Sequence, residues 1–557
     1  MKNNINLNLA TKIVLTILLS LTTLSFATNY YVDQNHQSAS DSNPGTLNSP
    51  WKTIQHAAET AVAGDTVFIR AGNYPEGIYF DHSGNQTSGY IVFTAFPGEK
   101  PIIDGTGNTD ASNGIVLDKA FIKLIGLEVA NWASNALWLE GASHFEISDC
   151  EVHDVPYGIG VAYGSHDFVF NRTVAHHFDL YGFDVSPNGI DCYNGTFNDC
   201  IAHTGRDRDQ NVDGFALGHG TQHDFVFNRC TTYDVFDGFD ISSGNTTLNQ
   251  CLAYNCWNGN YKLWQDNVKL INCIGHSCPG SNVELDWDGQ PGTTWLINCT
   301  FFNASTYTVW VENTNDRLRM YNCILAGGDN IGLAFEQMGV SNYEGDYNIF
   351  HNDNPYRAVA VAYSDEFTLD QVKNGDWTTY SGQDAHSIVE NSDANLFVDP
   401  ADFDLHLIES SPAVDHARSD LAPSIDFDGN PRPIGNGFDI GAYEYQLPVR
   451  VNDNKKNSSV SESFVMFQNF PNPFNPQTRI QYQLARSAEV RLEIFNLLGK
   501  KVITLINEKQ TAGIHSTSWD GKDSTGNQAA SGVYFYRLLV KGKGNNYYFT
   551  RKMVKLQ

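Results

Sequence analysis

Four polar residues, Asp213, Asp237, Asp240 and Lys262, stand at spacings that would gather them in one place. They belong to a five-residue pattern that reads Asp213-Gly-Phe-Ala-Leu217, Asp237-Gly-Phe-Asp-Ile241, Gly259-Asn-Tyr-Lys-Leu263 and Ser281-Asn-Val-Glu-Leu285, at intervals of 24, 22 and 22 residues. If each copy is one turn of a coil, equal positions stack as neighbouring strands about 4.8 Å apart. Asp213 and Asp237 then share one column, at the bend into the strand, and Asp240 and Lys262 share another. Three carboxylates this close would repel and raise one another's pKa unless a cation sat among them. Calcium, which takes several oxygen ligands in irregular geometry, suits such a set. A divalent ion would also disfavour the protonated Lys262 amine, making it a usable base near neutral or alkaline pH. In an acidic sugar polymer the ion would neutralise a uronate and acidify its C5 hydrogen. The amine would remove that proton and the C4 oxygen would leave, a β-elimination. The competing reading is structural: Asp-Gly is a common turn dipeptide, and Lys262 would be a surface lysine paired with Asp240 or Glu284 at little energetic gain. Two stacked Asp-Gly copies with Asp240 beside them favour the metal. Asp184, from the earlier copy Tyr181-Gly-Phe-Asp-Val185, is a further ligand candidate across an insertion.

These residues need a frame that converts sequence period into spatial stacking. The third and fifth positions are apolar in every copy (Phe215/Leu217, Phe239/Ile241, Tyr261/Leu263, Val283/Leu285), so two-residue alternation points them inward and the fourth position outward. Short strands, Gly/Asn turns and no helical spacing predict a parallel β-helix, its turns running through Asn135-Ala-Leu-Trp-Leu139 and Tyr157-Gly-Ile-Gly-Val161 and loosening towards Phe350. Pro50-Trp-Lys-Thr-Ile-Gln-His-Ala-Ala58 has helical spacing and predicts a cap over the open N-terminal end of the core. Cys150, Cys200, Cys230, Cys251, Cys273, Cys299 and Cys323 each close a short motif once per coil or a multiple of it, which predicts an inward stack of free thiols. Cys256 and Cys278 stand apart as a pair for which a disulfide is open, and no cysteine has zinc-site spacing. The inserted Arg206-Asp-Arg-Asp209 is either a substrate-contacting loop or a solvated charge run.

A net charge of -28 over 557 residues argues against a nucleic-acid partner. Lys2 and Lys12, the apolar residues 13–24 and Ser25-Phe-Ala27 predict a signal peptide over 1–27. The apolar run is too short for a membrane span, and an exported monomer without one is expected. The β-helix is expected over 28–447. Within its last part, Asp426, Asp428 and Asn430 lack the terminal Glu of an EF-hand loop and read as an Asx-turn cluster. A polar linker is expected over 448–462, followed by a small β-sandwich over 463–557.

Two resemblances sharpen this. Asp213-Gly-Phe, Asp237-Gly-Phe-Asp240 and Asn258-Gly-Asn-Tyr-Lys-Leu263 resemble the core motifs of polysaccharide lyase family 9, whose fold is a right-handed parallel β-helix. The resemblance implies calcium held by Asp213, Asp237 and Asp240, Lys262 as Brønsted base, and a uronate polymer as substrate, pectate by default. The chain departs from the family's pattern at Phe236, where an acidic residue is frequent, and at Trp264-Gln265 after Lys262-Leu263. Phe467-Gln-Asn-Phe-Pro-Asn-Pro-Phe-Asn-Pro476, Leu498-Gly-Lys-Lys-Val502 and Ser531-Gly-Val-Tyr-Phe-Tyr-Arg537 resemble the C-terminal sorting domain of type IX secretion substrates, which implies the type IX machinery as partner and release to the cell surface or medium. Gly218-His-Gly220 resembles a polygalacturonase motif, but most of the acids follow it and the Arg-Ile-Lys of those hydrolases is absent. That hydrolase and a non-catalytic glycan-binding adhesin are the alternatives.

Overall fold

The computed structural model describes residues 27–446 and 465–555 with short gaps inside each stretch. The expected signal segment, residue 27 apart, and the expected linker lie outside the described residues, as does much of the 467–476 motif.

Nearly every strand of the first stretch pairs in parallel with its counterpart one coil away. One face is a sheet of 13 strands from Asn29–Val32 to Tyr343–Asp346. The other strands form two further columns. One passes through Ile201–His203, Thr231–Tyr233, Leu252–Tyr254 and Ile274–Cys278. The other passes through Asp213–Leu217, Asp237–Ile241, Gly259–Leu263 and Ser281–Leu285. The strands Glu151–Ala162 and Val174–Ser186 are long enough to bend across both columns. This is the expected β-helix.

The interior follows from the alternation. Phe183, Phe215, Phe239 and Tyr261 stack ring on ring, with centroids 4.8, 5.0 and 5.3 Å apart. All ten cysteines are buried and free, Cys256 and Cys278 included, so no disulfide joins that pair. Beside the thiol column, the amides of Asn171, Asn198, Asn228 and Asn249 bond from coil to coil at 2.9, 2.9 and 3.0 Å. The next residue on each coil is left-handed (Arg172, Asp199, Arg229 and Gln250, φ 50–55°), which turns the chain sharply into the following face.

Both ends of the core are closed. Ile54–Thr60 forms the expected helix, started by the Thr53 side chain accepting from the His56 N–H at 3.2 Å, and it lays Ile54, Ala57 and Ala58 on the first coil. At the far end, helices Leu369–Lys373 and Asp376–Ser381 bring Trp377 fully into the core. The chain then returns along a corner of the solenoid, where the side-chain amides of Gln250, Asn272, Asn298 and Asn322 donate to its carbonyls between Arg418 and Gly441. In that return Asp426 accepts from the Asn430 backbone at 2.7 Å and side chain at 3.0 Å, so the turn expected here is closed by a bond four residues on and not by the two-residue bond of an Asx turn.

The second stretch is an antiparallel sandwich. One sheet contains Val465–Met466, Thr478–Leu484 and Gly513–Trp519, the other Lys501–Gln510, Ala488–Asn496, Gly532–Lys541 and Asn546–Lys555, and Ile480, Tyr482, Leu492, Trp519 and Tyr536 fill the space between them. Among the described residues, no helix is long and apolar enough to cross a membrane.

Candidate functional site

The register places the outward column as its spacing predicts: Asp184 pairs with Ala216, Ala216 with Asp240, Asp240 with Lys262, and Lys262 with Glu284. The insertion after Val185 does not break it, because Tyr181 pairs with Asp213 across the loop. The column is less open than alternation alone suggests. Asp240 and Lys262 are half-buried, whereas Ala216 and Glu284 are buried.

Asp213 and Asp237, expected at the bend into the strand, are buried there. Asparagines at the same corner hold them: Asn211 Nδ2 donates to Asp213 Oδ2 at 3.1 Å and Asn258 Nδ2 to Asp237 Oδ1 at 2.9 Å. Local packing fixes Asn258 in turn. Gly280, on the next coil, lies so close that a Cβ there would stand 1.7 Å from the Asn258 carbonyl oxygen. Each aspartate keeps one buried oxygen, Asp213 Oδ1 and Asp237 Oδ2, with no hydrogen-bond donor.

Lys262 reaches over this pair. Its Nζ is 3.7 Å from Asp237 Oδ2 and 4.7 Å from the centroid of the Trp264 ring, and its side chain keeps 16% exposure. Burial raises both aspartate pKa values. For Asp213 the charges of Asp237 and Asp240 add to that rise and carry it well above the usual range, while for Asp237 the Lys262 ammonium and the Asn258 amide oppose it. Burial also pushes Asp184 up to about 6, against a 2.6 Å hydrogen bond from the Ser186 hydroxyl. Tyr181 rises to about 12 through burial and then the Asp213 and Asp184 charges.

The donor set fits a hard cation: carboxylate oxygens with unused lone pairs, crowded enough to resist ionising together. The aspartates are not drawn into a closed shell. Among the described residues, the one trio of metal-ligating side chains whose ligand atoms all lie within 4.8 Å is elsewhere, at His144, His166 and Asp167. Asp213, Asp237 and Asp240 do not bring three ligand atoms within 4.8 Å of one another, so a single ion with bonds of about 2.3–2.6 Å would contact all three directly only after a small side-chain movement. Asn211, Asn258 and Trp264 are the site residues that spacing did not single out. A signal for Asn258 was available, since it directly precedes the third quintet as Phe236 precedes the second. Of the charged insertion, Arg206 pairs with Asp179 at 2.7 Å and Arg208 lies over the Trp257 ring, while Asp209 is outside the described residues.

A parallel β-helix with a buried acid pair beside a lysine defines the class. Residues 30–354 match the model of the Pel9A-like right-handed beta helix region, and the chain belongs to that family. Residues 473–543 match the FlgD Ig-like domain, in accord with the sandwich. Pectate lyase PEL9 of Emericella nidulans is 26% identical over 394 residues, which span 65% of this chain and 89% of that protein. The uncharacterized protein YwoF of Bacillus subtilis is 31% identical over 137 residues, 22% of this chain and 28% of its own length. The crystal structure of pectate lyase Pel9A aligns over 76% of this chain and 98% of that one, at 17% identity and a TM-score of 0.48.

Proposed function

We propose that this chain is an exported, calcium-dependent polysaccharide lyase that cleaves a uronate-containing polymer, pectate in the first instance, by β-elimination. The observation that carries the reading is the Lys262 amine 3.7 Å from a buried carboxylate of Asp237, on coils where Asp213 and Asp240 add two more acids. The relative named as a pectate lyase supports the reaction class and the default substrate.

Asp213, Asp237 and Asp240 would hold calcium. When bound, calcium supplies neutralisation of the substrate carboxylate and so acidifies the C5 hydrogen. Lys262 takes that proton as general base. The electron pair left at C5 forms the C4–C5 double bond, the C4–O bond breaks, and the departing oxygen takes a proton from solvent. Asp237 on one side and the Trp264 ring on the other orient the amine. Export would use the expected signal over 1–27, with the sandwich as a type IX sorting domain. Fusion of residues 463–557 to a periplasmic reporter tests that role: a reporter retained in the periplasm rejects it.

The deciding experiment is incubation with uronate polysaccharides, with calcium and with chelator, reading ultraviolet-absorbing unsaturated ends. Elimination that continues undiminished in chelator removes the metal from the reading. New reducing ends without absorbance would mean a polygalacturonase-type hydrolase. Polymer binding with neither product would mean an adhesin.

A further inference from the structure

A second cluster of ligating side chains lies on a different edge of the solenoid, where the chain enters the 13-stranded face. Ala120, Ser143 and His166 form successive parallel bridges there, so His144 and His166 sit on adjacent coils. His166 Nδ1 is 2.8 Å from Asp167 Oδ2, and His144 Nε2 is 3.8 Å from the same oxygen. One ligand atom from each of the three residues falls within 4.8 Å of the others. A tetrahedral ion with bonds of about 2.0–2.1 Å has ligand-to-ligand edges of about 3.3 Å. The two observed separations bracket that edge.

The cluster is also supported from behind, which separates it from a chance meeting of surface groups. The His144 ring stacks on Phe121 at 4.5 Å and 19°, and the His166 ring on Tyr193 at 4.7 Å and 1°. The free oxygen of Asp167, Oδ1, accepts a hydrogen bond from the Asn194 amide. Each ligand is thus held by a neighbour on an adjacent coil, the two rings by stacking and Asp167 by a hydrogen bond, while His144 Nδ1 is buried without a hydrogen-bond partner. Side-chain exposures of 43, 29 and 34% for His144, His166 and Asp167 leave an approach for the ion and for a fourth ligand.

We propose that His144, His166 and Asp167 bind a borderline divalent transition ion of the zinc type, with water or an external ligand in the fourth position. Two imidazoles and one carboxylate select such an ion over calcium, so the site differs in chemistry from the aspartate column and does not depend on the lyase reading. Bound across two coils, the ion would clip the N-terminal part of the solenoid together. The chain holds its own control. The hexapeptide His-Asp-Phe-Val-Phe-Asn occurs at His166–Asn171 and again at His223–Asn228, but the residue in register with Asp224 on the coil below is Asn194, whereas the residue in register with Asp167 on the coil below is His144. His223 and Asp224 therefore make a pair and not a trio.

The test is titration of the full chain, saturated with calcium, with zinc in competition with a chromogenic chelator. Wild type and His223→Ala should bind one more zinc equivalent than His144→Ala or His166→Ala. Asp167→Asn, which preserves shape, should weaken that equivalent at least tenfold. Zinc should raise the thermal midpoint of wild type and His223→Ala but not of His144→Ala. Equal zinc stoichiometry and affinity in wild type and His144→Ala, or no zinc bound by wild type, would overturn the proposal.

Discussion

Lys262 is the register neighbour of Asp240, yet its Nζ comes within 3.7 Å of Oδ2 of Asp237, the residue that begins the same neighbouring strand. The side chain leans back along the coil, over the buried acids. A base placed there meets a substrate proton only where the substrate carboxylate is itself held at the acids. Lys262→Ala should therefore lower kcat by about 10²–10⁴-fold and leave calcium affinity within a few-fold of wild type. Initial rates of absorbance increase and a calcium titration of the same preparations check this. A parallel loss of calcium binding would make Lys262 a structural partner of Asp237 instead.

The buried acid pair should cost stability when no metal ion is present, since Asp213 Oδ1 and Asp237 Oδ2 are buried without a hydrogen bond and the Lys262 amine, 3.7 Å from Asp237 Oδ2, offsets their charge in part. Asp213→Asn keeps the shape and removes the repulsion. The calcium-free variant is expected to melt a few degrees above calcium-free wild type, and the calcium-induced rise in its midpoint should shrink or vanish. Thermal melts with and without chelator read both effects. A variant that melts lower in chelator and responds fully to calcium would mean that Asp213 is a structural hydrogen-bond acceptor.

The registry of this site was legible in the sequence because it is carried by alternation: Phe215, Phe239 and Tyr261 can stack in the core only if Ala216, Asp240 and Lys262 stack outside. The thiol column was legible for the same reason. The depth of Asp213 and Asp237 was not, because an Asp-Gly pair looks the same at an open turn and at a corner closed by Asn211, Asn258 and the neighbouring coil. The return strap was invisible for a different reason. Gln250 bonds the Asp426 carbonyl across 176 residues, and no period connects two such positions. The trio at His144 was equally hidden, since His144 occupies its place in the stack without the His-Asp dipeptide that marks His166 and His223.

Gly280 gives a test of how far the site depends on backbone packing. A Cβ at this position would be 1.7 Å from the Asn258 carbonyl oxygen, so Gly280→Ala must push the two coils apart locally. Overpacking of this kind costs about 1–3 kcal/mol, and here the displaced residue is the donor to Asp237 Oδ1. Lower stability should come with weaker calcium binding and a reduced kcat. Asn258→Ala, which removes the amide without the clash, should reproduce the functional loss with a smaller fall in stability. Equal function in Gly280→Ala and wild type would show that the Asn258 contact is dispensable.

The cysteines offer a solution test of the solenoid itself. All ten are buried and none is bridged, and Cys200, Cys230, Cys251 and Cys273 hold pKa values well above the ordinary thiol range because of burial. A thiol reagent should find almost no reactive group in the native protein at pH 8 and ten in denaturant. Reduction should leave the thermal midpoint unchanged. Fewer than ten thiols in non-reducing denaturant would reveal a disulfide, with Cys256 and Cys278 the first pair to examine.

The return strap carries the clearest pH dependence. His406 is clamped between Asp404 (Nδ1 to Oδ1, 2.6 Å) and Asp428 (Nε2 to Oδ2, 3.0 Å), with its ring against Tyr443. Burial alone would lower the imidazole pKa, but the two carboxylates outweigh it and raise it to about 10. An unfolded histidine titrates near 6.5. The folded chain thus keeps a proton that the unfolded chain has released, and stability falls as pH rises between those values. The contribution is complete below about pH 6.5 and gone above about pH 10. His406→Gln removes the cation and leaves two carboxylates facing each other, at a cost of about 3 kcal/mol at neutral pH. Denaturant midpoints measured from pH 6 to pH 10.5 should show wild type and His406→Gln converging at the alkaline end. A constant gap between them across that range would mean that the imidazole acts there by packing and not by charge.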